Sequence, residues 1–322
     1  MKPYNENIEL KEFLVKYKEN WNEFFKKWEK DPKATFEEDV IWNNRKGKGE
    51  TELECDVFPQ PYLGNIHDHS VITLNLNPSR SKKGVKKFNL KNGEKGNEND
   101  VFEEKHLQEF LKKPKKDYYE YAKGFPTYDI DFWQNQKNWI DRIFKKLGKD
   151  APSENKIKPF AIEICPWGSK KFQNLKIKKD DPLIKYMDQH VFDVIEKVNQ
   201  KNIFPSKIKL VPCVGKDYYD IFNHNNSDFE KLSEFTKSNK TNNEVVVEPE
   251  TLDKNFVLKI KEKWPLNKNN VLTNRCFSFW KKNSMIHYNV YSTEGGANNP
   301  PGKDFKKVEQ EFFRIYKSLI TK

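Results

Sequence analysis

Ser70-Val-Ile-Thr-Leu-Asn-Leu-Asn-Pro-Ser79 decides the reading of the fold. Val71 to Leu76 is a short apolar, partly β-branched run of strand length, and Pro78 ends it because proline cannot donate to a ladder. Two similar runs follow. Pro159-Phe-Ala-Ile-Glu-Ile-Cys165 is stopped by Pro166-Trp-Gly-Ser169, and Ile208-Lys-Leu-Val-Pro-Cys-Val214 ends at Gly215-Lys216. Pro212 removes a donor inside the third run, which predicts a bulge or an edge position for it. Cys276-Phe-Ser-Phe-Trp280 and Met285-Ile-His-Tyr-Asn-Val-Tyr291 read as two further strands joined by Lys-Lys-Asn-Ser.

Helices separate these strands. Phe132, Trp139, Ile140, Ile143, Phe144 and Leu147 mark one apolar face, with Gly148 where a C-cap belongs. Asp181-Pro182 supplies an N-cap and a first-turn proline for a helix that buries Ile184, Met187, Val191, Val194, Ile195 and Val198. A helix is also expected over Val101 to Leu111, and a last one carries Phe305, Val308, Phe312, Ile315, Tyr316 and Leu319. Strands alternating with helices predict a three-layer α/β/α fold with a central, mainly parallel sheet of about four core strands.

At the N-terminus, Leu10, Leu14, Tyr17, Trp21, Phe24 and Trp28 recur in steps of three and four until Asp31-Pro32. This defines a helical extension over residues 1–57, packed on an α/β domain over 58–322. Phe58-Pro-Gln-Pro-Tyr-Leu-Gly-Asn65 reads as a loop leading into the first strand. Lys/Asn-rich insertions lie near 80–123 and 225–270. The stretch from 80 to 100 has no periodicity and reads as a solvated loop.

Hydrophobic residues make up 35% of the 322 residues, below the roughly 45–50% of an average soluble chain, but aromatics reach 14%. The core is therefore built from rings, and that load argues against a disordered chain. The net charge is +11, and only five of the 59 basic residues are arginine, the rest lysine. An AT-rich coding genome produces part of that lysine load, yet a basic surface still favours polyanionic partners. No apolar run approaches the roughly 18–20 residues of a membrane helix. The start, MKPYNENIELKEF, lacks the apolar core of a signal peptide. The four cysteines (55, 165, 213, 276) form no CxxC pair, so a zinc ribbon is not expected, and a reducing cytoplasm is the natural compartment.

In sheets of this kind the chemistry sits beyond the C-terminal ends of the strands. That rule selects Asn77-Pro-Ser79, Cys165-Pro-Trp-Gly-Ser169, Gly215-Lys216 and Ser292 to Asn299. Several other features have plain structural readings. His67-Asp-His69 has metal-ligand residue types but no visible third ligand. Glu163 is either catalytic or a charge paired at the sheet edge, and it lacks the Asp…Glu-x-Lys pattern of restriction-type nucleases. His287 reads as a satisfied core histidine. Neither GxGxxG nor GxxxxGK[ST] occurs.

The four strand ends, in that order, resemble the uracil-DNA glycosylase superfamily over roughly residues 60–322. Leu76-Asn77-Pro78-Ser79 looks like the Asn-Pro-Gly motif of the mismatch-specific and single-strand-selective branches. The resemblance implies that Asn77 positions the attacking water and that the base pocket takes in Leu76, Pro78, Ser79, Cys165 and Trp167. Gly124-Phe-Pro-Thr-Tyr-Asp129 is similar to the family's Gly-x-Pro-aromatic segment, which makes Phe125 or Tyr128 the ring that stacks on the base, with Phe88 a second option. Cys213-Val-Gly-Lys216 matches the family's strand end. Tyr291-Ser-Thr-Glu-Gly-Gly-Ala-Asn-Asn299 stands where the family has its DNA-probing loop, so Ser292, Thr293, Gly295, Gly296, Asn298 and Asn299 are expected to face DNA. No His or Asn precedes Ser292, which departs from the family's second motif. Arg80, Ser81, Lys82 and Lys216 are candidate phosphate contacts.

The chemistry suits these residue types. Breaking an N-glycosidic bond builds positive charge on the sugar and negative charge on the base, so a fixed water and aimed donors suffice. The base must leave the stack to be reached. Where the strict uracil enzymes of the family carry a bulky Tyr, this chain has Ser79, which leaves room at pyrimidine C5. The expectation is a cytoplasmic, monomeric DNA glycosylase without cofactor or metal, acting on double- or single-stranded DNA. Its target would be a mismatched or modified pyrimidine, including the glucosylated hydroxymethylcytosine that some members excise in antiviral defence against phage. The alternative is a non-catalytic nucleic-acid-binding protein on a degenerate glycosylase fold.

Overall fold

Four parallel strands form the centre of the sheet in a computed structural model. It describes residues 8–55, 57–69, 71–76, 109–110, 112–113, 117–123, 131–147, 158–169, 172, 175–200, 210–224, 228–237, 244–247, 258–261, 275–283 and 285–292. The strands are β1 (Tyr62–Leu63), β2 (Val71–Asn75), β3 (Pro159–Glu163), β4 (Leu210–Val214), β5 (Glu230–Lys237), β6 (Glu244–Val247), β7 (Leu258–Lys261), β8 (Arg275–Lys282) and β9 (Met285–Ser292). The helices are α1 (Ile8–Lys30), α2 (Pro32–Glu38), α3 (Val40–Asn43), α4 (Tyr118–Ala122), α5 (Asp131–Leu147), α6 (Pro182–Met187), α7 (Asp193–Gln200) and α8 (Lys216–Phe222).

The seven-stranded sheet runs β1-β3-β2-β4-β9-β8-β5. β3, β2, β4 and β9 are mutually parallel, while β1, β8 and β5 join antiparallel. Every residue of β2, β3 and β4 is buried, as expected of parallel strands covered on both faces. Helix α5 lies on one face, where Trp139 packs on Tyr288. On the other face, His287 packs against Phe192 and against Phe222 of α8. The architecture is thus α/β with helices on both sides of a mixed, largely parallel sheet.

Local chemistry explains the helix ends. Asp31 accepts from Ala34 N–H and closes α1 into α2, with Pro32 in the first turn. Asp181 accepts from Leu183 N–H at 2.9 Å and pairs with Arg45, which fixes the start of α6. From Asp188 to Phe192 the chain makes a π-helical turn before continuing as α7. The expected apolar positions from Ile184 to Val198 are all buried.

Helix α1 is sewn into the same core by rings. Tyr17 stacks on Tyr62 at 5.6 Å, and Phe25 lies 5.0 Å from Phe58 and 4.3 Å from Tyr118. Trp28 Nε1 donates to Cys55 O at 2.8 Å. The buried stripe uses Phe25, whereas Phe24 is only partly buried. The 3.6-residue pitch lets either phenylalanine continue the stripe, and the neighbouring rings select Phe25.

Four further expectations change. Residues 62–63 form β1 rather than loop, paired with Ile162 and Ala161 of β3. Its outer side is taken by α4, because Tyr118 Oη donates to Tyr62 O at 2.7 Å and Gly64 N–H donates to Ala122 O at 2.8 Å. Pro212 lies in a central strand, not at an edge. Gly215 N–H donates to Val290 O on the β9 side. By alternation along a parallel strand, Pro212 turns its missing donor toward β2, where the register holds only Leu74↔Cys213. β5 is a real edge strand where sequence reading saw only polar insertion, and β6 and β7 form a separate antiparallel hairpin. Glu163 is not at the sheet edge: β3 lies between β1 and β2, and the residue is buried. The helix expected over 101–111 falls mostly outside the described residues.

Candidate functional site

From β2 the chain crosses to β3 on one side and then to β4 on the other. The C-terminal end of β2 is therefore a switch point, the place where open α/β sheets bind ligands. Leu76 follows β2 and is 7% exposed. Its carbonyl accepts from Cys165 N–H at 2.9 Å. The carbonyl of Asn75 accepts from Ile164 N–H at 3.0 Å and from the Tyr218 hydroxyl of α8. The end of β2 is thereby tied to the ends of both neighbours.

Gly215 makes that junction possible. Its φ of 142° and ψ of 148° lie in a region that is essentially restricted to glycine. A Cβ there would sit 2.6 Å from three atoms of the Leu76 side chain. Glycine lets the β4 end approach Leu76 and turn at once into α8.

A buried polar relay lies just beneath. Gln136 Nε2 of α5 donates to Asn75 Oδ1 at 2.8 Å, and Asn75 Nδ2 donates to Glu163 Oε1 at 3.2 Å. Asn75 and Glu163 are in register on β2 and β3, so their side chains share a face. All three are at most 5% exposed, and Gln136 Oε1 has no hydrogen-bond partner. The relay fixes the orientation of Asn75 and sets the Glu163 carboxyl in register with it at the end of β2. Sequence reading noticed Glu163 but missed Asn75, Gln136 and Tyr218. The repeated Asn-x-Asn at 75 and 77 in an apolar strand was the available signal for Asn75.

Asp217 is a second group that the sequence did not single out. It is 4% exposed at the start of α8, and its Oδ1 accepts from Leu175 N–H at 2.5 Å. Burial pushes its carboxyl up to about 7, against the opposing effect of the Leu175 bond. The folded state therefore binds a proton that the unfolded chain has released above about pH 4, and stability falls as pH rises toward 7 and then levels off. Asp217→Asn keeps the acceptor for Leu175 and is expected to flatten this dependence. Denaturant midpoints at pH 5 and pH 8 check it: equal losses of stability in wild type and variant would refute the assignment.

Among the expected site residues, Leu76, Cys165, Trp167 and Lys216 are described. Cys165 is fully buried, with Sγ 3.6 Å from Trp167 O and its thiol pushed well up by burial. Trp167 is also fully buried; Nε1 donates to Asp39 Oδ2 at 2.9 Å and the ring meets Phe24 and Phe36. Both side chains are enclosed, with Trp167 packed under the N-terminal helices. Cys165 meets the end of β2 through its backbone N–H, which donates to Leu76 O. Lys216 opens α8 beside Gly215 and is partly exposed. Ser292 is the last residue of β9. Asn77, Pro78, Ser79, Arg80, Ser81, Lys82, Phe88, Phe125, Tyr128, Thr293, Gly295, Gly296, Asn298 and Asn299 lie outside the described residues.

Two histidine readings can be placed. Asp68 pairs with Lys158, and His69 is buried with its pKa lowered by burial to about 4. Among the described residues, no group of three or more His, Cys, Asp and Glu is arranged to hold a metal. His287 is a core residue, but not a satisfied one: its Nδ1 lacks a partner and burial lowers its pKa to about 3. Among the described residues no helix is long and apolar enough to cross a membrane. Compared with protein-family models, curated proteins and solved structures, the chain matches none.

Proposed function

We propose that this chain is a DNA glycosylase of the uracil-DNA glycosylase type, hydrolysing the N-glycosidic bond of a flipped, 5-substituted or mismatched pyrimidine. One observation carries the reading: the strand that runs into Leu76-Asn77-Pro78-Ser79 is β2, the strand at the switch point of the sheet. The other strand ends that the resemblance selects, after β3, β4 and β9, leave the same edge, because these four strands are parallel.

In this mechanism the Asn77 amide oxygen holds a water toward C1′ of the sugar. The water oxygen bonds to C1′ as the C1′–N1 bond breaks, and the electron pair of that bond leaves with the base. The water's proton is released to solvent or to the departing base. An asparagine is a poor base, so its contribution is position.

Ser79 gives the test. Two oligonucleotides differing only at the target base, uracil in one and a 5-substituted cytosine in the other, are incubated with enzyme and then cleaved by alkali at abasic sites. Wild type is expected to process the 5-substituted strand. Ser79→Tyr should abolish that activity far more than activity on uracil, because a bulky ring excludes by overlap. DNA affinity should change little, since backbone contacts carry it. Cleavage of the uracil strand alone by wild type defeats the pocket argument. Binding of both strands without release of either base favours a non-catalytic binding protein.

A further inference from the structure

A groove of about 540 Å³ lies between α8 and the segment 175–179, and none of the relay residues lines it. Its size falls in the range of about 300–1,000 Å³ typical of ligand sites. Lys216, Asp220, Asn223 and His224 line one wall, at spacings of four, three and one, so they form one face of α8 and its continuation. Lys176 and Lys179 line the other wall.

Both walls are fixed. Leu175 N–H is held by Asp217 Oδ1 at the start of α8, and Lys178 O lies 2.8 Å from His224 Nε2 at its far end. Lys178 N–H donates to Asp181, the residue that caps α6 and pairs with Arg45. The segment is therefore clamped along its length while Lys176 and Lys179 line the groove.

The charge in the groove is predominantly positive, with Lys216 attracting Asp217 and Asp220 of its own helix. Among the described residues, none of Lys176, Lys179 and Lys216 has a carboxylate within ion-pair distance. Asp220 is the single acid of the lining, so three ammonium groups face one carboxylate. The apolar part is limited to Leu175 and Ile177, and the ring in the lining is the His224 imidazole, whose Nε2 lies 2.8 Å from Lys178 O. Three lysine donors for phosphate thus outnumber the surface offered to a nucleobase.

We propose that this groove binds the sugar–phosphate backbone of a nucleic acid strand, tracking it from the strand ends of the sheet along α8. The proposal deepens the glycosylase reading by giving the strand that flanks the flipped base a path; it rests on that reading only for which strand is held. Lysines at three points suit a row of phosphates, and the contact carries no sequence preference.

The test uses the full chain and unmodified oligonucleotides of two unrelated sequences, with affinity measured over a series of salt concentrations. Each lost phosphate contact reduces the slope of log K against log salt by about 0.9 on duplex DNA. Lys176→Ala with Lys179→Ala should lower the slope by about two and weaken both sequences equally. Asp220→Asn should strengthen binding, which a merely misfolded variant would not do. Pyrophosphate, as a small anion with the same chemistry, should compete only weakly. An unchanged slope in the double variant overturns the proposal, as does tight pyrophosphate binding with the DNA slope intact. The glycosylase reading fails separately: if no base is released from any oligonucleotide but the slope still falls by two, the groove stands and the enzyme assignment does not.

Discussion

Replacing Asn77 with alanine is expected to slow base release about a hundredfold or more while leaving DNA affinity and the unfolding midpoint close to wild type. The magnitude follows from the role. A single positioned polar group that acts at the reacting centre typically contributes a factor of this order, because the transition state depends on its placement in a way that the bound ground state does not. Single-turnover measurements at saturating DNA isolate the chemical step, so a binding defect cannot imitate the effect. The buried relay at Asn75 sharpens the expectation. Asn75, held by Gln136 and Glu163, precedes Asn77 by two residues in sequence. Asn75→Ala should lower stability as well as activity, since it leaves buried partners unmatched. Wild-type turnover by Asn77→Ala would end the proposed mechanism.

Gly215→Val is expected to destabilise the fold by about 2–6 kcal/mol, the sum of backbone strain and overpacking of about 1–3 kcal/mol each. The residue's φ of 142° excludes a β-branched side chain, and any Cβ would press on Leu76 at 2.6 Å. Relief would push apart the ends of β2 and β4, which meet through Leu76 and the Tyr218 bond to Asn75 O. The variant should therefore lose activity at temperatures where it is still folded. Chemical denaturation checks the stability, and an unfolding midpoint within error of wild type would show that the junction tolerates a side chain.

The parallel core was legible because its strands are buried on both faces and so read as continuous apolar runs, as at Val71–Leu74 and Phe160–Ile162. The helix cap at Asp181 was legible for an equally local reason, a side-chain oxygen followed by proline, whereas Asp31-Pro32 read only as the end of α1 and turned out to cap α2 as well. Strand neighbours were not. Pro212 suggested an edge because its missing donor is a local fact, while the weak pairing with β2 that accommodates it is a fact of the sheet. β5 was hidden because Glu230-Lys-Leu-Ser-Glu-Phe-Thr-Lys237 is an edge sequence rich in charge, which resembles a loop. At the site, the strand ends could be named from proline and glycine punctuation, but the relay depends on Gln136 reaching from a helix 61 residues away in sequence. The burial of Cys165 and Trp167 was equally out of reach: they follow the end of β3, and Trp167 is covered by Phe24, Phe36 and Asp39 of the N-terminal helices and their connection, far away in sequence.

Strand β1 is only two residues long, and both its brevity and its neighbours bear on how the molecule behaves in a crowd. A sheet border normally offers a row of free amide and carbonyl groups on which another chain can template itself. Here the carbonyl of Tyr62 is occupied by the Tyr118 hydroxyl and the N–H of Gly64 by Ala122 O, so a helix has taken the positions that an incoming strand would need. Gly64 then turns the chain away at a φ of 105°, where an added Cβ would strike Pro159 O at 2.4 Å. That border is closed to polymerisation by hydrogen bonds already spent, without recourse to charge.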